Sequence, residues 1–290
     1  MTQTTVRLPV AVTGATGAQG GAVARALLRD GRPVRALTRT TDSPAARELA
    51  ALGAKLVRAD FDDPASLGAA LAGAGALFAM STPFGTDPDT EVRQGTALLD
   101  AAAAAGVRHV VLTSATNADR STGIPHFDSK QRLEQHLAGL DLPWTVLGPA
   151  VFLDNYAGDW TLDSLRRGVL HLPMPAATPF PVIAVETIGA FAAHVLAHPE
   201  GHAGQRIDIA SQWCTGDRIA AAIAAASGRP IRCEEVPLSV VETYSADLAA
   251  MFRYFQETGL DLDTEALHAA HPAVEWRTLE DWAAGQPWDL

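Results

Sequence analysis

The chain has 290 residues, and 48% of them are hydrophobic, enough to fill one large core or two modest ones. Its formal charge of −11 comes without any Lys/Arg-rich block, so the basic surface typical of a nucleic-acid-binding protein is missing. The N-terminus lacks the charged and apolar regions of a secretory signal, and the uncharged stretch 64–85 is too polar to span a bilayer, so we expect a cytoplasmic protein.

The first half of the chain alternates short apolar runs with longer amphipathic runs. Strands are predicted at 6–14, 33–39, 55–62, 75–81 and 107–115, and each is followed by a predicted helix. Asp63 is expected to cap the third helix, and Pro64 suits its first position. Nearly continuous apolar strands that are connected through helices indicate a parallel sheet covered on both faces.

The second half is less regular. Residues 172–181 hold several prolines, which favours a loop over the surface or over a cleft. A strand and a helix return at 180–200, a strand follows at 205–211, and the rest is mainly helical. We predict an α/β fold: a doubly wound parallel sheet of dinucleotide-binding type with a smaller, discontinuous C-terminal α/β substrate lobe. Residues 1–152 and part of 182–210 are assigned to the sheet domain, and 153–181 and 211–290 to the lobe.

The sequence TGATGAQGG follows the first predicted strand and opens the first helix. Its glycines are spaced as GxxGxxG, and glycines at this place allow a tight turn and let backbone N–H groups approach a pyrophosphate. A structural turn without a ligand is the alternative. The loop residues predicted to bind a dinucleotide are Gly14, Thr16, Gly17, Gln19 and Gly20.

The end of the second predicted strand distinguishes the two nicotinamide dinucleotides. A chain that selects NAD usually has an acid here for the ribose 2′-hydroxyl, but this strand ends in Thr38, Arg39 and Thr40. An arginine pairs with a 2′-phosphate, and the absence of an acid removes the repulsion that would reject one. Arg39 therefore predicts NADP(H); an exposed loop arginine is the alternative.

Polar and aromatic residues also follow the third, fourth and fifth predicted strands. They are Asp60 and Phe61, Ser81 and Thr82, and Ser114 and Asn117, respectively. The carboxyl ends of parallel strands meet at the edge where ligands bind in open α/β folds, so we predict that these residues line a cleft. Each polar member is equally suited to a helix cap or a turn.

Six short segments carry a family resemblance: TGATGAQGG, VRALTR, VRADFDD, VRHVVLTSA, HFDSK and PAVFLDNY. Together they resemble the NmrA-like group of atypical short-chain dehydrogenases/reductases, and later segments extend the similarity along nearly the whole chain. The resemblance implies a Rossmann-type domain that binds NADP(H) and a smaller C-terminal domain that closes over a substrate cleft. The group includes both reductases and cofactor-sensing regulators.

The resemblance also implies roles for three residues. Active short-chain dehydrogenases use a serine, a tyrosine and a lysine together, and Ser114, His126 and Lys130 match those positions. The lysine is expected to hold the ribose of the nicotinamide, a solvated helix charge being the alternative. The tyrosine is absent, and His126 is a candidate replacement because an imidazole exchanges protons near neutral pH. Alternatively, His126 caps a turn or lines an apolar cavity.

The segment PAVFLDNY departs mildly from the family, since Gly148 stands where an arginine is expected. Asn155 matches the family's asparagine and is predicted to contact cofactor or substrate, and Tyr156 is a second candidate proton donor. Cys214 and Cys233 lack the spacing of metal ligands or of a disulfide framework, so no metal site is predicted.

Two functions from different classes fit these features. The first is an NADPH-dependent reductase that transfers hydride to a small electron-poor acceptor such as a quinone, enone, imine or conjugated dye. Aromatic side chains available to line an apolar cleft are Phe84, Phe127, Phe152, Trp160 and Phe180, and ordinary core packing is the alternative expected for most of them. The second is a non-catalytic NADP(H)-binding redox sensor, which the missing tyrosine favours. A redox-neutral enzyme is a weaker third. A small molecule is the expected partner, with no nucleic acid or membrane; the oligomeric state does not follow from the sequence.

Overall fold

The computed structural model describes residues 7–290. Its strands are β1 (Val10–Val12), β2 (Val34–Thr38), β3 (Lys55–Arg58), β4 (Ala76–Ala79), β5 (Val110–Thr113), β6 (Trp144–Pro149), β7 (Val151–Phe152), β8 (Val169–Leu172), β9 (Phe180–Ile183), β10 (Gln205–Ile209), β11 (Gln212–Cys214) and β12 (Arg232–Glu235). Its helices are α1 (Ala18–Arg29), α2 (Pro44–Ala51), α3 (Pro64–Leu71), α4 (Pro88–Ala104), α5 (Pro125–Ala138), α6 (Asp159–Arg166), α7 (Val185–Ala197), α8 (Gly216–Ser227), α9 (Leu238–Glu242), α10 (Ala246–Glu257), α11 (Thr264–Ala270) and α12 (Leu279–Ala284). Leu153–Ala157 and Pro199–Gly201 form short 3₁₀ helices.

The central layer is a seven-stranded sheet in the order β10-β6-β5-β4-β1-β2-β3, and every neighbouring pair in it is parallel. Every residue of the inner strands β1, β4 and β5 is buried, whereas the edge strand β3 begins and ends in exposed Lys55 and Arg58. This matches the near-continuous apolar runs that parallel strands need when helices cover both faces. The predicted α/β fold with its doubly wound parallel sheet is confirmed.

Helix ends follow local sequence signals. The Asp63 side chain accepts a hydrogen bond from the N–H of Ser66 and Pro64 opens α3, as predicted from the sequence. Ser43 and Asp87 cap α2 and α4 in the same way, again before a proline. These caps fix where the helices leave the carboxyl edge of the sheet.

Two apolar layers cover the faces of the sheet. On one face α1 and α7 pack closely because position 189 is a glycine: a Cβ there would lie 2.7 Å from the backbone of Ala22. On the other face, α3, α4 and α5 pack around side chains such as Leu98 and Leu133. The sheet therefore holds a rigid edge on which side chains can be placed.

A smaller lobe with its own core stands beside this sheet. It contains the mixed sheet β11-β9-β7, the parallel pair β12-β8, and helices α6, α8, α10 and α12 around Trp282. The chain returns to the main sheet through β10, which pairs with β6. The residue limits of the two domains stay a prediction. Within residues 7–290, no helix is both long and apolar enough to cross a membrane.

Candidate active site

The glycine loop makes a tight turn between β1 and α1. Gly14 has a φ of +59°, a left-handed conformation that favours glycine, and its carbonyl oxygen accepts a hydrogen bond of 2.9 Å from the N–H of Gly17. A Cβ at Gly20 would overlap the carbonyl oxygens of Thr13 and Gly14. Only glycine therefore lets α1 start this close to the end of β1.

The N-terminus of α1 is left uncommitted by the protein. Gly17 supplies no side-chain cap, and the first turn contains no acidic residue, so backbone N–H groups remain available to an anion. The side-chain oxygen of Gln19, in the same turn, is buried and has no hydrogen-bond partner among the described residues. A buried polar atom without a partner is costly, and a ligand in this place would satisfy it.

A cavity of about 560 Å³ opens in front of this turn, along the carboxyl ends of β1 to β4. Seven of the residues predicted to bind the cofactor line it: Gly14, Thr16, Arg39, Asp60, Phe61, Ser81 and Thr82. Arg39 is exposed at the end of β2, with Thr38, Thr40 and Ser43 beside it in the wall. A guanidinium with three neighbouring hydroxyls and no acid at the end of β2 suits a phosphate group better than a bare ribose.

Lys130 lies in α5, where its side chain reaches Ser81, a residue of the cavity wall, and is paired with a buried acid. Its Nζ is 2.6 Å from Oε1 of Glu91 and 3.3 Å from the carbonyl oxygen of Ser81. The fully buried Glu91 carboxylate also accepts hydrogen bonds from the hydroxyls of Ser81 and Ser129, at 3.0 and 2.6 Å. These contacts use two of the three N–H donors of Lys130, so one remains for a ligand.

His126 is held by an acid from the smaller lobe. Its Nδ1 is 2.7 Å from a carboxylate oxygen of Asp247, and its backbone N–H donates to the other oxygen at 3.2 Å. Burial disfavours the carboxylate, but the hydrogen bonds from His126 outweigh this and hold the pKa of Asp247 below its ordinary value. With Nδ1 occupied, Nε2 is the nitrogen free to exchange a proton.

Aromatic rings enclose this imidazole. Phe84, which lines the cavity, lies 5.7 Å from it between ring centroids, and Phe127 lies 4.8 Å away edge-on. Phe84 and Trp160 are largely exposed, whereas Phe127 and Phe180 are buried in the core of the lobe. Of the five aromatic residues considered in the sequence, Phe84 therefore connects the cavity to His126.

Ser114 belongs to a hydrogen-bond network separate from that of Lys130 and Glu91. Its hydroxyl donates a short hydrogen bond to Glu134, which is paired with Arg206 at 2.9 Å. Arg206 also binds Asp208, whose carboxylate accepts from Asn117 at 3.3 Å. Burial raises the pKa of both Glu134 and Asp208, and the guanidinium of Arg206 opposes the shift. Ser114 and Asn117 thus belong to an internal charge network.

Two predicted residues lie in the 3₁₀ helix that follows β7. Tyr156 is buried in the core of the smaller lobe, and burial raises the pKa of its phenol well above the usual range, which disfavours proton transfer. Asn155 is exposed, and its carbonyl oxygen accepts from Thr161 at 2.9 Å. Neither lines the cavity at the ends of β1 to β4.

Two acidic residues of the site, the partners of Lys130 and His126, are not predicted from the sequence. Glu91 lies in the first turn of α4, where an acid is expected simply to favour the helix dipole. Asp247 lies in the first turn of α10 and is 121 residues from its partner His126. No local pattern marks either one, since each acquires its role only when distant helices pack together.

A comparison with known proteins identifies the family. A model of the NmrA-like family matches residues 8–283. The chain belongs to the NmrA-like family. The resemblance predicted from the six sequence segments is therefore confirmed.

The proteins that are similar to this chain differ in their functions. The NAD(P)H azoreductase of Xenophilus azovorans is 31% identical over 234 residues, covering 79% of this chain and 77% of that protein. The NADPH complex of the quinone oxidoreductase QOR2 from Escherichia coli superposes with a TM-score of 0.79 at 25% identity, over 95% of this chain and 98% of that one. The negative transcriptional regulator NmrA, in complex with NADP, also has a TM-score of 0.79, at 20% identity over 98% and 99% of the two chains, which shows the shared fold alone.

Proposed function

We propose that this NmrA-like protein is an NADPH-dependent reductase of small electron-poor acceptors such as quinones, enones, imines or conjugated dyes. The observation that carries the proposal is the pair of His126 and Asp247 beside Phe84 at the cavity. An azoreductase and a quinone oxidoreductase among the relatives support the same class of acceptor.

The residues at the glycine loop fit NADP(H). The uncapped N-terminus of α1 and the unpartnered side-chain oxygen of Gln19 suit the pyrophosphate region, and Arg39 suits the 2′-phosphate. The remaining N–H of Lys130 suits a ribose hydroxyl. When bound, NADPH supplies the hydride.

His126 supplies the proton in this proposal. A quinone needs one hydride and one proton to become a hydroquinone, and the proton leaves Nε2 of the imidazolium. Asp247 accepts the hydrogen bond from Nδ1, which fixes the ring orientation and stabilises the charged imidazolium before transfer. Phe84 and Phe127 keep the ring in an apolar setting that suits a conjugated acceptor.

The test uses two acceptors with different proton demands. A quinone requires hydride and proton, whereas a cationic triarylmethane dye becomes neutral on taking hydride alone. We expect His126→Gln to lower kcat/KM for the quinone about 100-fold or more and to leave the dye within a few-fold of the parent. Asp247→Asn should lower the quinone rate about tenfold or more, because it acts through His126. Stopped-flow loss of NADPH absorbance measures both rates.

A matched control is present on the same helix. His136 in α5 also bonds an acid, Asp100, at 2.7 Å, but at the protein surface. His136→Gln should leave both rates unchanged. Equal losses for dye and quinone in His126→Gln would contradict a proton-donating role.

The redox sensor is the second candidate, favoured by the histidine at the position of the usual tyrosine. The same experiment separates the two functions. Tight NADPH binding without turnover of any acceptor would favour the sensor, and failure to bind NADPH would contradict both.

A further inference from the structure

Three histidines from separate parts of the chain meet at the amino edge of the main sheet. His194 lies in α7, His202 lies just before β10, and His271 follows α11. One ring nitrogen of each lies within 4.8 Å of the others. Because the strands are parallel and the cavity described above opens at their carboxyl ends, this cluster lies at the opposite edge.

One of these rings has a fixed tautomer. Nδ1 of His202 is 2.8 Å from the carbonyl oxygen of His198, so it carries the hydrogen and donates it. In the neutral form of the ring, Nε2 of His202 then presents its lone pair. Metal-bound histidines are typically oriented in this way, with the second nitrogen bonded to a backbone carbonyl.

The other five ring nitrogens of the three histidines differ from Nδ1 of His202 in their hydrogen bonding. In the part of the chain that the structure describes, the Nδ1 of His202 is the one nitrogen of the six with a protein hydrogen bond. The rings of His202 and His271 stack at 5.6 Å, with His194 edge-on to both. Three imidazoles packed together without hydrogen bonds between them offer three nitrogen donors to one ligand, and neutral imidazole nitrogen is a preferred ligand of zinc.

We propose that His194, His202 and His271 bind one divalent transition-metal ion, with Zn²⁺ as the expected ion. At a Zn–N length of about 2.0–2.1 Å, two nitrogens of a tetrahedral site are about 3.3 Å apart, so the nitrogens must approach each other by up to about 1.5 Å. Side-chain rotation supplies such a shift, since His194 and His271 are each partly exposed.

An adjoining cavity provides an entry path and a place for a fourth ligand. It has a volume of about 260 Å³ and is lined by His194, together with Asp30 and Glu275, whose carboxylates favour the approach of a cation. Arg29 in the same wall offsets one of those charges. A water molecule on this side would complete a tetrahedral site.

The bound ion would act as a cross-link within the fold. His271 directly follows α11 in the C-terminal part of the chain, whereas His194 and His202 lie on the helix and the turn that lead into β10. One ion joining these segments stabilises the folded state and leaves the nucleotide cavity, at the other edge of the sheet, unaffected. This site is independent of the proposed reductase function.

The first test is titration of the chelator-treated full-length protein with ZnCl₂. Native mass spectrometry should show one Zn²⁺ per chain, with a Kd below about 1 µM by competition. The thermal midpoint should rise by about 5 °C at a hundredfold excess of Zn²⁺ over the Kd. Substoichiometric binding without a thermal shift would overturn the proposal.

Spectroscopy and one variant pair then locate the ion. Co²⁺ in the parent protein should give the intense visible bands of a tetrahedral nitrogen-rich site, and their absence would contradict the proposed geometry. His271→Gln should weaken Zn²⁺ binding at least 100-fold, whereas His171→Gln, at an exposed position of β8, should not. Unchanged affinity in a folded His271→Gln protein, judged by circular dichroism, would place the ion elsewhere.

Discussion

The carboxyl edge of the main sheet has two halves that differ in how far their polar groups are paired within the protein. At the ends of β1 to β4, some polar groups have no protein partner within residues 7–290: Gly17 supplies no side-chain cap to α1, the side-chain oxygen of Gln19 has no hydrogen bond, and Arg39 lines the cavity. Beyond the end of β5, Ser114 is tied into a network of acids with Arg206, whose side chain reaches this edge from β10. We call the first half the open half, because its polar groups are available to a ligand. We call the second the satisfied half, because its polar groups already pair within the protein.

This difference shows that position at the edge does not by itself make a ligand-binding residue. Ser81 and Ser114 both follow strands and both donate to a glutamate, but Ser81 lines the cavity while Ser114 supports a buried ion network. What separates them is the partner of the acid: Glu91 pairs with Lys130, which also contacts Ser81 of the cavity wall, whereas Glu134 pairs with Arg206.

The largest effect is expected in the satisfied half. Arg206→Met removes the guanidinium that compensates Glu134 and Asp208, so two carboxylates whose side chains are only 10% and 19% exposed lose their charged partner. Removing one side of a buried ion pair costs about 3–5 kcal/mol, and we expect a loss of this size in the free energy of unfolding at pH 7. Urea unfolding measures it, and NADPH affinity of the remaining folded protein should be unchanged.

The pH dependence of that variant follows from the same acids. Burial already raises their pKa values, and loss of Arg206 raises them further in the folded state, with the unfolded values unchanged. Acids with a raised folded pKa destabilise the fold as pH rises from the unfolded towards the folded value. The deficit relative to the parent should therefore shrink as the pH is lowered from 7 to 5, and a constant deficit would contradict this origin.

The two halves also differ in how far the sequence predicts them. The residues of the open half directly follow predicted strands: the glycine loop follows the first strand, Arg39 the second, and the remaining residues the third and fourth. Because those strands are predicted to be parallel, their ends are expected to meet at one edge. The pairing of His126 with Asp247, or of Ser114 with Glu134 and Arg206, depends on the packing of elements far apart in the chain. The sequence predicts the helix α5 and a mainly helical C-terminal segment, but it does not show which polar residues of the two meet.

The next effect tests the open half. Gly20→Ala places a Cβ against the carbonyl oxygens of Thr13 and Gly14, so the loop must shift away from its tight turn. We expect NADPH affinity to fall at least 30-fold, because the backbone donors lose their alignment. Fluorescence titration gives the Kd. Gly68→Ala is the matched control, since that helical glycine has nothing within 4 Å of a Cβ and the change should stabilise α3 by about 0.5–1 kcal/mol.

Arg39→Gln tests a single charge in the same half. It should weaken NADPH binding about tenfold or more and leave NADH binding within about twofold, because the proposed role of the guanidinium is to pair with the 2′-phosphate, which NADH lacks. The ratio of the two Kd values is the measurement. A parallel loss for both dinucleotides would mean that Arg39 acts on the shape of the loop and not on the phosphate.

The smallest effect on activity is expected for Ser114→Ala, although this position matches the serine of active short-chain dehydrogenases. Its hydroxyl donates to Glu134, which is held by Arg206 on the satisfied side, so its loss should cost about 1 kcal/mol of stability and change kcat less than about twofold. Ser129→Ala is the counterpart in the open half: it removes a donor to Glu91, the partner of Lys130, and should reduce kcat more than Ser114→Ala does. If Ser114→Ala instead lowered kcat by about 100-fold with stability preserved, the hydroxyl would have to leave Glu134 when ligands bind, and the division of the edge into two halves would hold only for the free protein.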